Sequence, residues 1–292
     1  MSIHGILGEQ TTDYPTQYSP ETLYPIARSI GRDAIGWQDA KLKVGVDWWH
    51  AFEMSWLNQQ GISQVAMARF SIPASSSYIV ESKSLKLYLN SINFTEFSSW
   101  EEVQTLIAKD LSACVQAEVK FELIALDDTE SGLLISQPEG ICIDEALADS
   151  IGKVALTLHP DASLLGNMAV TEQSNITEID KKSGQSHTFY SNLLRSNCPV
   201  TNQPDWGTLA VSMTSTCAVD DAAMLRYILS FRQHNGFHEQ CVEQIFADLS
   251  RYYQPSSLMV RAWYTRRGGI DINPCRVSEP SLLPAPSRLI RQ

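Results

Sequence analysis

The sequence predicts an α+β protein built from two similar units in tandem, and three observations predict it. Segments with strict apolar alternation and segments with helical spacing are both present. The order strand, helix, helix, strand occurs once in each half of the chain. The length of 292 residues, 43% hydrophobic and 19% charged, is ample for well-buried cores and suits one large domain or two smaller ones.

In the first half, residues 64–73 (QVAMARFSIP) alternate as a half-buried strand does. A helix follows over 82–92, with Leu85, Leu89 and Ile92 on one face. A second helix begins near Ser99. Ser99 and Glu102 form the S-x-x-E pattern of a capping box, and Val103, Leu106, Ile107 and Cys114 form its apolar stripe. Residues 118–126 (EVKFELIAL) read as a strand again.

The second half repeats the order. Residues 206–216 (WGTLAVSMTST) read as a strand, and Asp220 or Asp221 caps a helix carrying Met224, Leu225, Ile228 and Phe231. Asn235-Gly236 breaks it. The next helix runs over 237–253, with Val242, Ile245, Phe246, Leu249 and Tyr252 inward, and stops before Pro255. Residues 257–264 and 269–275 are predicted strands. Between the halves, roughly 135–191, the chain is polar and without sustained period, as a long connection with one or two strands would be. The expected partition is therefore a unit over 1–135, a connecting segment over 136–190 and a second unit over 191–292.

The formal net charge of -11 argues against a broad basic footprint for nucleic acid. Residues 1–19 lack the cationic start and apolar block of a signal peptide, and no stretch approaches the roughly 18 apolar residues of a membrane helix. A soluble chain in the cytosol is expected. The six cysteines contain no CxxC pair, so reduced thiols are the default reading there.

Four segments can carry chemistry: ESKSLKLY at 81–88, NCPVTNQPDWG at 197–207, Phe237-His238-Glu239, and TRRGG at 265–269. Cys198 lies in a polar, proline-bounded loop, where partial exposure suits a reactive thiol, although a cysteine is more often a small buried hydrophobe. Cys114 and Cys241 fall at helical core spacing and read as inert. Asp205 either stabilises a turn after Pro204 or serves as an acid near the thiol. Glu239 in a first helical turn is favoured by the helix dipole alone. His238 and Cys241 share a spacing that places two metal ligands on one helix face, yet no second ligand pair accompanies them. Lys83 and Lys86 read as a solvated helix face, and Arg266 to Gly269 as a charged hairpin turn. Neither GxGxxG after a strand nor GxxxxGK[ST] is present.

Taken in order, these four segments resemble the NADPH-dependent 7-cyano-7-deazaguanine reductases, the QueF family, in its long two-repeat form. Glu81-Ser82-Lys83-Ser84-Leu85-Lys86-Leu87-Tyr88 satisfies every position of the family signature, and the match continues through SNCPVTNQPDWG, FHEQC and YTRRGGIDINP. The connection between the halves is longer than the family pattern leads one to expect. The resemblance implies tandem tunnelling-fold (T-fold) units, antiparallel sheets with paired helices on one face, assembled as a homodimer. It implies reduction of a nitrile to a primary amine with two NADPH per turnover, in the biosynthesis of queuosine, a modified tRNA nucleoside. The partner is a small-molecule 7-deazaguanine, with neither nucleic acid nor membrane bound directly and no metal.

Carried over by motif, Cys198 resembles the nucleophile that forms a thioimide and Asp205 the proton donor. Val80, Glu81, Ser82, His238 and Glu239 resemble the substrate contacts, and Ser82, Lys83, Arg267 and Gly268 the NADPH contacts. The residue types suit the reaction. A thiol must ionise below its ordinary value of about 8.5, and an aspartic acid donor must retain its proton. A guanine-like ring offers adjacent N–H and amino donors, which one carboxylate accepts together. Two other readings are a cyclohydrolase-like purine or pterin hydrolase, which needs metal at His238 and Cys241, and a non-catalytic purine-binding module.

Overall fold

The computed structural model describes residues 14–37, 39–128, 134–150, 153–154, 157–166 and 184–292. Part of the predicted connection, and residues 1–13 of the stretch read as lacking a signal peptide, lie outside them. The first half contains β1 (Pro25–Ala27), α1 (Arg28–Ile35), β2 (Gly45–Asn58), β3 (Ser63–Pro73), β4 (Tyr78–Val80), α2 (Ser82–Ile92), β5 (Glu96–Phe97), α3 (Trp100–Val115) and β6 (Lys120–Ile124). The connection contributes β7 (Ile135–Ser136) and β8 (Ile141–Cys142). Then come β9 (Gln185–Asn197), β10 (Pro204–Ser215), α4 (Asp221–Leu229), α5 (His238–Tyr253), β11 (Ser257–Tyr264), β12 (Ile270–Val277) and β13 (Arg288–Leu289).

The two halves share one sheet, in the order β6-β3-β2-β12-β11-β10-β9-β8. The long neighbours all pair antiparallel, and the short strands β5 and β8 join β2 and β9 in parallel. The seam is the β2–β12 ladder, which runs from Ala51 opposite Ile270 to Gly45 opposite Arg276.

Each half packs a pair of helices on its strands. Leu85, Tyr88 and Ile92 of α2 and Val103, Ile107 and Leu111 of α3 cover Trp49, Trp56, Ala68 and Phe70. Met224, Leu225 and Ile228 of α4 and Val242, Ile245, Phe246 and Leu249 of α5 cover Leu209, Val211, Val260 and Ala262. These are the apolar stripes that the helical spacing predicts, and burying them against the sheet is what stabilises the helices.

The two longest strands, β2 and β9, escape the pattern reading, so each half starts with two strands rather than one. Six consecutive residues of β2, Val46–Ala51, are buried, and a bulge between Ala51 and Met54 shifts the register. No alternation survives that. In β9 two of the four buried positions are Ser191 and Ser196, so burial leaves little apolar signal. β9 also starts within the expected connection and crosses position 191.

Two local details differ from expectation. The Ser99 hydroxyl does accept from the Glu102 N–H at 3.1 Å, but the Glu102 carboxylate turns to the Ser98 N–H and hydroxyl, both at 2.7 Å, so only half of the capping box forms. The α4 stripe outlasts its helix: Phe231 is buried in a 3-10 turn that follows Leu229. Asp220 rather than Asp221 caps α4, through the Ala222 N–H at 2.9 Å.

Gly45 opens β2 at the seam with φ +146, and a Cβ there would lie 2.1 Å from the Cys275 carbonyl oxygen and 3.0 Å from the Arg276 Cα. Backbone cannot yield as a flexible side chain does. Gly45→Ala is expected to destabilise the protein by about 1–3 kcal/mol, read as a lower denaturation midpoint in urea.

Candidate active site

The hairpin from β9 to β10 turns on Cys198. The Cys198 N–H donates to the Gln203 carbonyl and the Asn202 N–H to the Cys198 carbonyl, both at 2.9 Å. Asn202 takes the left-handed conformation (φ 56) that asparagine tolerates. So tight a loop folds its own donors onto the sulfur. Burial opposes the Cys198 thiolate, but the Thr201 hydroxyl, the Thr201 and Val200 N–H groups and Arg267 donate to the sulfur and hold the thiol below its ordinary value.

Asp205, near the start of β10, is 4% exposed. Arg267 Nε donates to its Oδ1 at 2.9 Å, and His238 Nε2 lies 3.3 Å from its Oδ2. Arg267 reaches the site from the turn between β11 and β12, and its Nη1 donates to Gln203 Oε1 at 2.8 Å. The His238 ring stacks on Tyr264 at 3.8 Å and 11°, and its buried Nδ1 has no hydrogen-bond partner.

His238 and Glu239 open α5, so the positive end of that helix faces the same place. Glu239 is 3% exposed. Burial pushes its carboxyl up to about 8; Asp47 adds to the rise, and Arg28 and Arg276 oppose it.

The first half supplies the other wall. Trp49, Ile79, Val80 and Ser82 line a narrow cleft of about 20 Å³ with Cys198, Asp205, His238, Glu239 and Arg267. Seven of the predicted residues therefore meet here from segments far apart in sequence: Val80, Ser82, Cys198, Asp205, His238, Glu239 and Arg267. Three do not line this cleft. The Glu81 carboxylate caps α2, accepting from the Lys83 and Ser84 N–H groups at 2.9 and 2.7 Å. Lys83 follows it on the exposed side. Gly268 lines an adjoining cavity of about 270 Å³ with Glu53, Lys86, Asn90, Asn93 and Gly269.

Lys86 is the residue that pattern reading misplaces. It is half-buried, and burial together with Arg267 lowers its pKa against the pull of Glu81, Asp205 and Cys198. A lysine one turn into an amphipathic helix carries no signal of this; only the approach of the Arg267–Gly268 turn reveals it. Cys241 does not reach the cleft. It is fully buried, and burial pushes its thiol up to about 12. Among the described residues no group of three or more His, Cys, Asp or Glu side chains is arranged to hold a metal.

Fold and cleft together are those of a mixed α+β protein with a half-buried thiol in a cleft between its two halves. Comparison with known proteins narrows the class. Residues 14–123 match the family described as "Nitrile reductase, 7-cyano-7-deazaguanine-reductase N-term", and residues 204–281 match "QueF-like protein". The chain is 78% identical over 292 residues to the NADPH-dependent 7-cyano-7-deazaguanine reductase of Psychrobacter cryohalolentis, covering 100% of both chains. It is 50% identical over 294 residues to the protein of that name from Acinetobacter baylyi, again covering 100% of both. A solved structure, the archaeosine synthase QueF-Like in the apo form, is 16% identical with a TM-score of 0.31, over 33% of this chain and 95% of that one. The chain belongs to the 7-cyano-7-deazaguanine reductase family.

Thr201 gives the site a direct test. Thr201→Val removes a hydroxyl donor to the sulfur, so the thiol pKa rises and less thiolate is present at neutral pH. Alkylation of Cys198 by iodoacetamide, followed by intact mass, should slow at pH 7 with its pH midpoint moved upward, while Thr201→Ser should stay near the parent.

Proposed function

We propose that the chain reduces the nitrile of 7-cyano-7-deazaguanine to the primary amine of 7-aminomethyl-7-deazaguanine, with two NADPH, through a thioimide on Cys198, in the formation of queuosine. The observation that carries the reading is the Cys198 sulfur, half-exposed in the cleft and held toward its anionic form by four donors. A nitrile is a poor electrophile until a nucleophile adds to it and its nitrogen is protonated. In the proposed step the sulfur bonds to the nitrile carbon while Asp205 gives a proton to the nitrogen, leaving a C=N–H group. Asp205 then carries the negative charge that the sulfur has lost, beside Arg267 and His238.

The residues around the second cavity fit NADPH. Lys86 offers a cation, and Gly268 and Gly269 turn with φ +57 and +73, where a Cβ would crowd Lys86 Nζ at 3.1 Å and Glu53 Cδ at 2.5 Å. Arg267 and Gly268 stand where cleft and cavity adjoin, with Ser82 and Lys83 at the start of α2 opposite. NADPH, when bound, supplies hydride. Cys198 leaves as thiolate after the first reduction, and its four donors make it a competent leaving group.

The Glu239 carboxylate accepts from the ring N–H and its neighbouring amino group, His238 Nδ1 offers a second polar contact, and the chain from Val80 to Ser82 flanks the ring. A cleft of 20 Å³ has to part to admit a bicycle. Closing it again excludes the water that would hydrolyse an imine.

The architecture fits tandem T-fold units, since strands, paired helices and strands recur on one face of one sheet. The reading includes a homodimer and a cytosolic location. All six cysteines are unpaired thiols, and among the described residues no helix is long and apolar enough to cross a membrane.

Cys198→Ala should abolish both the covalent adduct, read as intact mass after mixing with the nitrile, and NADPH oxidation at saturating substrate. Full oxidation by that variant would refute the covalent route. Asp205→Asn should keep binding and lose roughly 10²–10⁴ in rate, the usual effect of a missing acid–base group.

A further inference from the structure

Behind the cleft, α1, β2, β12 and α5 meet in a cluster of charges that takes no part in the proposed chemistry. Arg276 pairs with Asp47 through Nη1 at 2.7 Å and with Glu243 through Nη2 at 2.8 Å. Arg28 pairs with Asp47 through Nη2 at 2.6 Å and places Nη1 3.8 Å from Glu243. Arg32 closes on Glu243 at 2.8 Å. Arg28, Asp47, Glu243 and Arg276 are 4%, 0%, 2% and 0% exposed. Three guanidiniums thus face two carboxylates, and one positive charge is left over.

Glu239 lies one helical turn before Glu243 on α5 and therefore on the same face. It is the third carboxylate, and with it the cluster is neutral. Among the described residues no cation lies within 4 Å of Glu239, so it forms no ion pair that would consume its acceptor capacity. Its charge is balanced at one remove, with acceptor capacity left for a ligand.

We propose that Arg28, from the N-terminal half, is a positioning residue of the substrate pocket: its surplus charge favours the ionised form of Glu239, while its bond to Asp47 keeps it from pairing with Glu239 directly. The proposal rests on Glu239 as the acceptor for the ring's N–H and amino donors. The groups that act on Glu239 from the packed elements oppose one another. Asp47 on β2 raises its pKa, as burial does, and Arg28 on α1 and Arg276 on β12 lower it. Asp47 itself is desolvated, but Arg276 and Arg28 outweigh that and hold it ionised below the ordinary range. Glu243 remains tied to Arg276 and Arg32.

The sign follows. Only the ionised Glu239 accepts the donors, so KM for the nitrile should fall as pH rises through about 8. Arg28→Gln removes a cation and should move that midpoint upward. Asp47→Asn removes an anion and should move it downward, and Arg28→Lys should restore the parent profile. Each unit of displacement is about tenfold in KM on the acid side of the midpoint, and kcat at saturating nitrile should follow neither shift.

Initial rates of NADPH oxidation across neutral and alkaline pH read all three profiles. Shifts of opposite sign in Arg28→Gln and Asp47→Asn support the proposal; shifts of the same sign, or none, overturn it, because damage to the fold does not change sign with the charge removed. Where Arg28→Gln does not fold, a downward midpoint in Asp47→Asn supports the proposal and an unmoved or raised one overturns it. Glu239→Gln separates the underlying reading: an unchanged KM there refutes Glu239 as the acceptor whatever Arg28 does.

Discussion

Arg276 of β12 and Asp47 of β2 pair across the seam with no exposure to water at either side chain. Removing two charges from solvent is expensive, and such a pair contributes specificity more dependably than stability. Here it specifies register. Asp47 stands opposite Pro274 and Gly45 opposite Arg276, so slipping the ladder by one residue would turn the buried ions to the other face of the sheet. Arg28 and Glu243 add further hydrogen bonds to the same pair and bring α1 and α5 with them. The junction thereby ties α1 and α5 to the β2–β12 seam, one helical turn from Glu239.

The site lies at the junction because neither half contains it. The C-terminal half provides the hairpin with Cys198, the strand with Asp205 and the helix end with His238 and Glu239; the N-terminal half provides Trp49, Val80, Ser82 and Lys86. Two helix N-termini converge there, α2 at Ser82 and α5 at His238. Their dipoles favour negative charge where a thiolate and carboxylates are gathered. Glu81 belongs to the same design from the scaffold side: by capping α2 it fixes where Ser82 and Lys86 fall.

The parts of this arrangement legible in the sequence are those with a local signature. The alternation of β3, the stripes of α2 to α5, and the proline-bounded loop around Cys198 are local features, and reading them needs no knowledge of tertiary contacts. β2 was hidden because burial on both faces erases alternation, and β9 because its buried positions include serines. Lys86 read as a solvated residue since its helix is amphipathic; its true surroundings come from a turn nearly two hundred residues away in sequence. Arg28, Asp47 and Arg276 gave no sign at all. An arginine on a short helix looks like any surface arginine until the partner that buries it is known.

Arg267 links the nucleophile to the acid in the proposed reaction. Its guanidinium donates to Asp205 at 2.9 Å and lowers the Cys198 thiol's pKa, so it counters whichever of the two is anionic. Before the bond to carbon forms, the negative charge is on sulfur. After the nitrogen has been protonated, the charge is on the Asp205 carboxylate, a few atoms away and in contact with the same cation. Charge is relocated inside the cleft without being created there, and little reorganisation of the surroundings is required of a site closed to water. Lysine at this position would offer a point charge on a flexible stem in place of a planar fork, and would hold one partner at a time. The need to serve sulfur and carboxylate together gives a physical reason for arginine at position 267, on a turn whose two glycines let it approach both.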